Sequence, residues 1–413
     1  MNTDFDVIIV GAGCAGLFSA LELSNRHFRC LVLDTFPVAG FASTRNQGWL
    51  QSGALYAGGN QADVAEACRR GTEFLRAHFS AAVRDEYGGY FFFDTEAESH
   101  RFERLCATAK IDVQQVAPAV IEREEPIVRE TSFRYAIRVT DRPFDTHFVL
   151  SEVAKRALDR GVEIKGTDKL KLIRLKRTSA HWRVALDGGV LSCRAVVLTG
   201  GAYISRFLKT LRSSVTSKLL TKRIAVLSLD RQISKSLLIG PLNKGAPNIV
   251  PYSIKGQVGV TICLNKNDVP TKNAHDFSVP GHEIDDFADA LSSFFPRSRE
   301  AMDGASAHFY SCQKVEETGQ TDSRNHILVD HSKADPGILG GLFSFYPGKF
   351  TAAPIVARDC ADAIETQWTT SRRAREGSGG TGVEVEVARQ KFLERGSFTA
   401  KVQNGQLHFR RRR

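Results

Sequence analysis

The chain has 413 residues, 42% of them hydrophobic, which is enough for two or three domains, or for one large domain with insertions, and enough to enclose a cofactor cavity. No run approaches the ~18 apolar residues that a membrane span needs, and the first residues lack the basic and apolar regions of a secretory leader, so the sequence reads as a soluble, cytoplasmic protein. The net charge of +10 is gathered at one end: residues 371–413 hold 11 Lys/Arg against 4 Asp/Glu, which leaves +3 for everything before them and argues against a nucleic-acid surface over the body of the chain.

The opening residues alternate strand, turn, helix and strand: "DVIIV", a glycine turn, "AGLFSALELSNRH", then "CLVLD". This is one strand-helix-strand unit at the start of a parallel sheet. Gly11, Gly13 and Gly16 spell GxGxxG, with Ala15 inside the motif, and Asp34 ends the second strand 18 residues after Gly16. Those glycines permit a tight turn, close approach of backbone to a pyrophosphate and close packing of helix on strand, while the first helical amides face the phosphates. Asp34 is placed to accept hydrogen bonds from a ribose, so the unit is expected to bind a dinucleotide. The eight cysteines are scattered singly, which suggests reduced, buried thiols and neither a metal knuckle nor a redox pair.

Next comes "STRNQGWLQSGALYA" from Ser43, then a helical pattern over 63–79 and a strand and turn in "YGGYFFFDT". A helix is expected to begin near Asp145 to Thr146 and to stop at Gly161 before a short strand. "WRVALDGGVLSCRAVVLTGG" reads as a hairpin turning at Asp187-Gly188-Gly189 that leads into a third parallel strand. From about 205 to 325, short strands such as "RIAVLSL", "IVPYSI" and "VGVTICL" and a helix over "EIDDFADALSSFF" suggest an antiparallel sheet forming the wall of a substrate pocket. The chain returns with a strand, a turn and a long helix in "GGLFSFYPGKFTAAPIVARDCADAIETQW". "SRRAREGSGGTG" has the composition of a flexible linker, and the last residues read as a hairpin on Asn404-Gly405 ending in four arginines. In "PGKFTAAP", Thr351 can cap a helix and Pro354 suits its first turn, so the amides of 351–353 together with Lys349 are expected to form a positive helix end.

An amino-terminal fingerprint, followed much later by a helix, a hairpin and a strand ending "TGG", is the discontinuous plan of flavoproteins. On the stretches quoted, the sequence resembles the D-amino-acid oxidase superfamily of FAD-dependent oxidoreductases, nearest in motif to its glycerol-3-phosphate and L-2-hydroxyglutarate dehydrogenase branch. The resemblance runs over roughly residues 5 to 370. It implies an α/β fold in which a Rossmann-like, doubly wound and mostly parallel FAD-binding domain (1–60, 145–205 and 326–370) is joined to an antiparallel-sheet substrate domain (61–144 and 206–325), with 371–413 as linker and basic extension. It further implies that Ser43, Thr44 and Arg45 lie near the FAD pyrophosphate, that Gly48 to Gly53 line the flavin, and that the backbone from near Val162 to the strand after it, with Gly200 and Gly201, borders the adenine side. Gly348, Lys349, Phe350 and Thr351 are implied at the flavin ring, where a lysine and a helix end would stabilise charge arriving with a hydride.

One departure bears on the chemistry. Where the hydroxy-acid and glycerol-phosphate branches carry a histidine, this chain has Gln51, and glutamine cannot take a hydroxyl proton. His326 and His331 are candidate replacement bases from the returning segment. The family's anion-binding arginine is also missing, since "YSCQKVEETG" offers Gln313 and Lys314, so Lys314 and Tyr252 become candidate substrate contacts. Trp49 and Tyr56 read as core residues. The expected function is removal of hydride from a CH-OH carbon of a small, polar, anionic substrate to flavin N5, with dioxygen or an electron carrier as reoxidant. Gln51 keeps two alternatives open: an amine or amino-acid oxidase, and a non-catalytic FAD-binding scaffold whose basic tail docks an acidic partner or, as a weaker variant, a modified RNA.

Overall fold

Phe5–Val10 reads FDVIIV, and its Val7, Ile8 and Ile9 are wholly buried, as they must be on a strand covered on both faces. The strand runs parallel to Cys30–Asp34 on one side and to Gly189–Leu198 on the other. The computed structural model describes residues 3–59, 61–86, 88–166, 172–178, 181–186, 188–211, 213–215, 219–241, 244–254, 257–264, 268–271, 279–317, 327–334, 340–375, 398–403 and 406–411. His326, Asp187 and the turn at Asn404-Gly405 lie outside the described residues, as does most of the expected linker.

The chain divides into two compact units, the first made of Met1–Ser43, His147–Leu219 and Val315–Arg413, the second of Thr44–Thr146 and Leu220–Lys314. Residues 44–60, expected with the dinucleotide-binding sheet, therefore group with the second unit. Residues 371–375, expected to open the linker, continue the helix Ala353–Arg375.

Among the described residues, the first unit holds an eight-stranded sheet. Glu163–Gly166, Cys30–Asp34, Phe5–Val10, Gly189–Leu198 and Leu342–Tyr346 run parallel in that order, and Ile327–Asp330 closes one edge antiparallel. Trp182–Leu186 and Leu172–Arg177 extend from Gly189–Leu198 as an antiparallel meander. Alternation sends Ile8, Val10, Leu31, Leu33, Val196 and Leu198 into one apolar cluster with Trp182, Val184 and Leu186 of that meander. The fingerprint helix Cys14–Asn25 packs along Ala353–Arg375, and Arg26 at its end ties the two together through Glu22 (3.0 Å), Asp362 (2.7 Å) and Glu365 (3.0 Å). Helix Thr146–Asp159 stops as expected before Gly161, whose φ of +83° suits glycine. The basic end forms an antiparallel hairpin of Phe398–Gln403 and Gln406–Arg411.

The second unit is built on a nine-stranded sheet among the described residues. Leu237–Ile239 runs parallel to Gly89–Phe93. Pro247–Ile254, Gln257–Leu264 and Leu219–Leu229 follow antiparallel on one side, and Tyr135–Val139 and Val113–Val116 on the other. Segment 61–144 thus supplies strands to the sheet that was expected from 206–325, and one neighbour pair is parallel where an antiparallel sheet was expected. Helix Glu96–Thr108, which the apolar periodicity does not mark, carries a local signal: Thr95 Oγ1 accepts from the Glu98 amide (3.3 Å) and donates to the Glu98 carboxylate (2.9 Å).

Helix Gly281–Phe294 buries Phe287 and Leu291 against one face of this sheet. It is also held by an ion pair between Arg223 and Glu283, 5% and 4% exposed, with Nη1 3.0 Å from Oε2 and a second bond from Nη2 to Oε1. Arg223→Met leaves the Glu283 carboxylate buried without its partner and should cost about 3–5 kcal/mol in urea unfolding, whereas adding Glu283→Leu should recover most of that loss. A cost below about 1 kcal/mol for the single change would contradict a buried pair.

Candidate functional site

Register fixes where the first unit can hold a ligand. Val10 pairs with Leu33 and with Leu198, and Leu198 pairs with Ser344, so these parallel strands end at one edge of the sheet. The segments leaving that edge are Gly11–Gly13, Asp34–Phe36, Thr199–Gly201 and, just beyond Tyr346, Gly348–Thr351. The carboxyl edge of an open parallel sheet is where such folds bind ligands.

The glycine turn is as tight as its residues permit. Gly11 has φ of +118°, and a Cβ there would lie 2.6 Å from the Thr199 carbonyl; a Cβ at Gly16 would lie 1.8 Å from the Gly11 oxygen. Thr199 locks the turn by donating from its amide to the Val10 oxygen (2.8 Å) and from its hydroxyl to the Gly11 oxygen (3.0 Å). Ser43 Oγ accepts from the Cys14 amide at 2.9 Å and would meet a Cβ at Gly13 at the same distance. The amides of Ala15 and Gly16 belong to the first helical turn, which has no intrahelical acceptor for them. Asp34 accepts from the Ala12 amide (2.7 Å) and the Phe36 amide (3.0 Å); burial pushes its carboxyl up to about 6, against the pull of those amides. A backbone cradle that excludes side chains, a helix amino terminus and a carboxylate at the next strand end together fit the pyrophosphate and ribose of a dinucleotide.

Two features of this edge have no counterpart in the sequence motifs. Ala39 takes a left-handed φ of +59° while its amide donates to the Ala12 oxygen (3.0 Å). Phe36, Phe41 and Tyr203 form an aromatic trio between Asp34 and Gly201, with centroids 4.5 to 5.8 Å apart.

The returning loop comes to the fingerprint helix: the Phe350 ring meets Phe18 edge to face at 6.3 Å, Thr351 is buried and Gly348 has φ of +64°. The helix begins at Ala353, and the Ala353 amide donates to the Phe350 oxygen (3.0 Å). Of the three amides expected to form a positive end over 351–353, that of Ala353 is thus already engaged.

Val162 is not brought to this edge. Leu31 pairs with Glu163 and Asp34 with Gly166, so Val162 precedes the far end of its strand, and its amide donates to the Ala157 oxygen (3.1 Å). Gly166 is the residue level with Asp34. His331, expected as a base, is wholly buried, with Nδ1 3.2 Å from Ser213 Oγ and Nε2 2.9 Å from Ser344 Oγ. Both ring nitrogens are thus engaged by serine hydroxyls, one of them on the strand Leu342–Tyr346, as in a packed core histidine. No disulfide joins any of the eight cysteines, all of which are buried.

In the second unit, residues 44–53 are fixed from below. Gly48 has φ of +67°, and its oxygen accepts from the Phe144 amide (2.7 Å). Trp49 and Tyr56 are core residues, as expected. Asp141, wholly buried, accepts from Trp49 Nε1 at 2.7 Å and from Ser52 Oγ. The Gln51 oxygen accepts from Thr72 Oγ1 (2.7 Å), and Gln51 is buried. Gly53, with φ of +99°, admits the Ala65 oxygen 2.4 Å from where a Cβ would be, so close packing on a helix already requires this glycine.

The sheet of this unit has one apolar face, bearing Ile249, Val260, Ile262 and Leu227, and one that becomes polar along Asn248, Tyr252, Thr261 and Ser228. Tyr252 lies over Gly259, and its hydroxyl donates to the Leu229 oxygen (3.1 Å). Phe309 packs on the apolar cluster, so Tyr310, Cys312 and Lys314 alternate onto the polar face. The loop at 45–47 sits over it too: Thr261 Oγ1 donates to the Gln47 oxygen (2.9 Å) and Gln47 Nε2 to the Asn248 oxygen (3.4 Å). Burial pushes the Tyr310 phenol up, as do Cys263, Cys312 and Tyr252, whereas the Arg45 charge pulls it down. The Arg45 charge is thus felt on the polar face that carries both candidate substrate contacts.

Ionised Asp34 is the better ribose acceptor, and its carboxyl, raised from 3.8 to about 6, loses its charge at a higher pH than an ordinary aspartate. The affinity of the apoprotein for ADP should be full above about pH 6 and fall as the pH drops through that value; Asp34→Asn should be weak and flat across the range, as read by isothermal titration calorimetry. Gly16→Ala should abolish ADP binding, because its Cβ would lie 1.8 Å from the Gly11 oxygen; retained binding would contradict the cradle.

Comparison with known proteins agrees with this geometry. The profile of the family described as "FAD dependent oxidoreductase" matches residues 6–363. The chain is 24% identical over 374 residues to the A subunit of anaerobic glycerol-3-phosphate dehydrogenase from Haemophilus influenzae, covering 87% of this chain and 64% of that protein. The Escherichia coli K12 protein of the same name is 24% identical over 370 residues, covering 87% and 66%. The chain thus spans about two thirds of the length of these relatives. Among solved structures, glycine oxidase from Geobacillus kaustophilus superposes with a TM-score of 0.67 at 17% identity, covering 88% of this chain and 95% of that one. L-alpha-glycerophosphate oxidase from Mycoplasma pneumoniae with FAD bound superposes at 0.69 and 15% identity, with the same coverage. L-amino acid deaminase from Proteus myxofaciens in complex with anthranilate superposes at 0.69 and 14%, covering 89% and 91%. At these identities the structures establish the fold, and the profile establishes the lineage: the chain belongs to the family of FAD-dependent oxidoreductases.

Proposed function

We propose that this FAD-dependent enzyme removes hydride from a CH-OH carbon of a small anionic substrate. FAD, when bound, supplies the hydride acceptor. The observation that carries the reading is the polar sheet face of the second unit, where Tyr252 and Tyr310 lie close together, the Arg45 charge is felt and strand alternation turns Lys314 to the same side. Two cations and two phenols suit a phosphate or carboxylate group. The glycerol-3-phosphate dehydrogenase subunits that the chain resembles act, by their name, on a substrate of that class.

Within the first unit, the fingerprint amides and Asp34 hold the nucleotide end of FAD, while Lys349 and the Gly348–Thr351 loop are assigned by resemblance to the flavin ring. His331 takes no part in the proton path, since both of its nitrogens are engaged by serines. Gln51 can orient a substrate but cannot take its proton. That is the observation favouring a second reading, an amine donor, whose neutral form gives up hydride without a strong base; glycine oxidase and L-amino acid deaminase share the fold.

Anaerobic titration of the FAD-loaded protein with glycerol 3-phosphate, hydroxy acids and amino acids, read as bleaching near about 450 nm, separates the two readings. Bleaching by a phosphorylated or carboxylated alcohol is expected. Bleaching by amino acids alone would transfer the assignment to the amine reading. With the alcohol that bleaches the flavin, Gln51→His should accelerate reduction by about 10²-fold, the usual scale of a positioned general base, and Arg45→Met should raise KM more than it lowers kcat.

A further inference from the structure

We propose that Asp141 is the positioning residue for the flavin-lining turn: its buried carboxylate, held between Trp49 Nε1 and Ser52 Oγ, sets the backbone on which Gln51 and Gly53 are carried. The proposal rests on the assignment of Gly48–Gly53 to the flavin. It does not depend on which substrate is oxidised.

The geometry is specific. Asp141 is wholly buried, and each of its oxygens receives one donor: Trp49 Nε1 reaches Oδ1 at 2.7 Å, and Ser52 Oγ reaches Oδ2. These donors lie on either side of Gln51 in the sequence, so one carboxylate clamps both flanks of the residue that replaces the usual histidine. The clamp extends through Ser52, whose Oγ also accepts from the Ala54 amide (3.2 Å), at the start of the short helix Ala54–Gly58. The chain next to Asp141 takes part as well: Arg142–Pro143 pairs antiparallel with Trp49–Leu50, and Phe144 donates its amide to the Gly48 oxygen (2.7 Å). Thr72 holds the Gln51 carbonyl at 2.7 Å from the opposite side. The turn is therefore fixed at Gly48, Trp49, Gln51 and Ser52, and two of those four restraints end on one carboxylate. Charge-assisted bonds to a buried group are strong and directional, which suits a part whose task is to hold backbone in place. Ser52 is itself buried and committed to Asp141, which assigns the pair to positioning and not to proton relay.

The test uses the full FAD-loaded chain and three readouts: FAD affinity, the visible circular dichroism of the flavin, and the Trp49 emission obtained by difference from Trp49→Phe. Asp141→Asn keeps the size of the side chain but turns one acceptor into a donor. It should shift Trp49 emission, change the sign or amplitude of the flavin band and weaken FAD binding by about tenfold or more, the scale of one buried hydrogen bond. Ser52→Ala and Trp49→Phe should each produce part of the flavin change, and in an Asp141→Ala background neither should add to it. An Asp141→Asn protein that melts earlier yet keeps wild-type FAD affinity and flavin dichroism would overturn the proposal and leave Asp141 a purely structural group. A shift in Trp49 emission without any flavin change would overturn it as well, by detaching the turn from the cofactor. Should neither Asp141 variant fold, Ser52→Ala and Trp49→Phe decide alone: unchanged flavin dichroism in both counts against the proposal. FAD affinity and flavin dichroism that respond to the Asp141 variants as expected, in a protein whose wild-type form no alcohol bleaches, would instead strike at the substrate reading and leave the role of Asp141 standing.

Discussion

The first unit depends on how closely backbone can approach backbone where Gly11 passes under Thr199. A methyl group at Gly11 or Gly16 would overlap carbonyl atoms at 2.6 Å and 1.8 Å, so strand, turn and helix fit only because those positions carry no side chain. Close approach lets the helix begin immediately after the strand, and its first amides then open at the sheet's carboxyl edge. Asp34, Gly200 and the loop that carries Lys349 reach the same edge because their strands lie in parallel register with Phe5–Val10 or its neighbour.

The second unit is organised by buried carboxylates. Asp141 fixes the turn around Gln51, Glu283 holds a helix to the sheet through Arg223, and Glu125, 1% exposed, accepts from Ser234 Oγ and from the amides of Lys235 and Ser236. Each is surrounded by donors because an unpaired buried charge is costly. The sheet between them divides its work by face. Apolar side chains meet the helix Gly281–Phe294 on one side, and the other side is left for phenols, hydroxyls and cations.

What is legible in the sequence is what is local. The fingerprint, Asp34, the helix stop at Gly161 and the core roles of Trp49 and Tyr56 follow from spacing and residue type within one or two elements. What escapes depends on residues far apart in the chain. Asp141 stands 89 residues from Ser52, and no motif marks a single aspartate before a proline-containing strand. Within the stretch from Val162 through the strand after it, the residue level with Asp34 is Gly166, a register against Cys30–Asp34 that cannot be read from either strand alone. His331 has the sequence of a loop histidine, yet Ser213 and Ser344 stand on either side of its ring. Gly53 fits the family pattern, but the carbonyl of Ala65 is reason enough for it. The run from Ser43 divides between the two units at Ser43 and Thr44, a boundary that no local signal in "STRNQG" marks.

The packing of the fingerprint helix against Ala353–Arg375 also has a temporal side. Arg26 finds Glu365 across 339 residues, and Gly189–Leu198 pairs both with the opening strand and with Leu342–Tyr346. During synthesis the opening strand, helix and strand emerge first, but the sheet they belong to is complete only once Tyr346 is made, and the helix has its partner only later still. Contacts of such sequence separation form slowly, and the apolar edges of Phe5–Val10 and Leu31–Leu33 must wait for them. The segment Thr44–Thr146, which emerges in that interval, supplies three strands of the other sheet, so neither unit can finish before the chain has passed back through both.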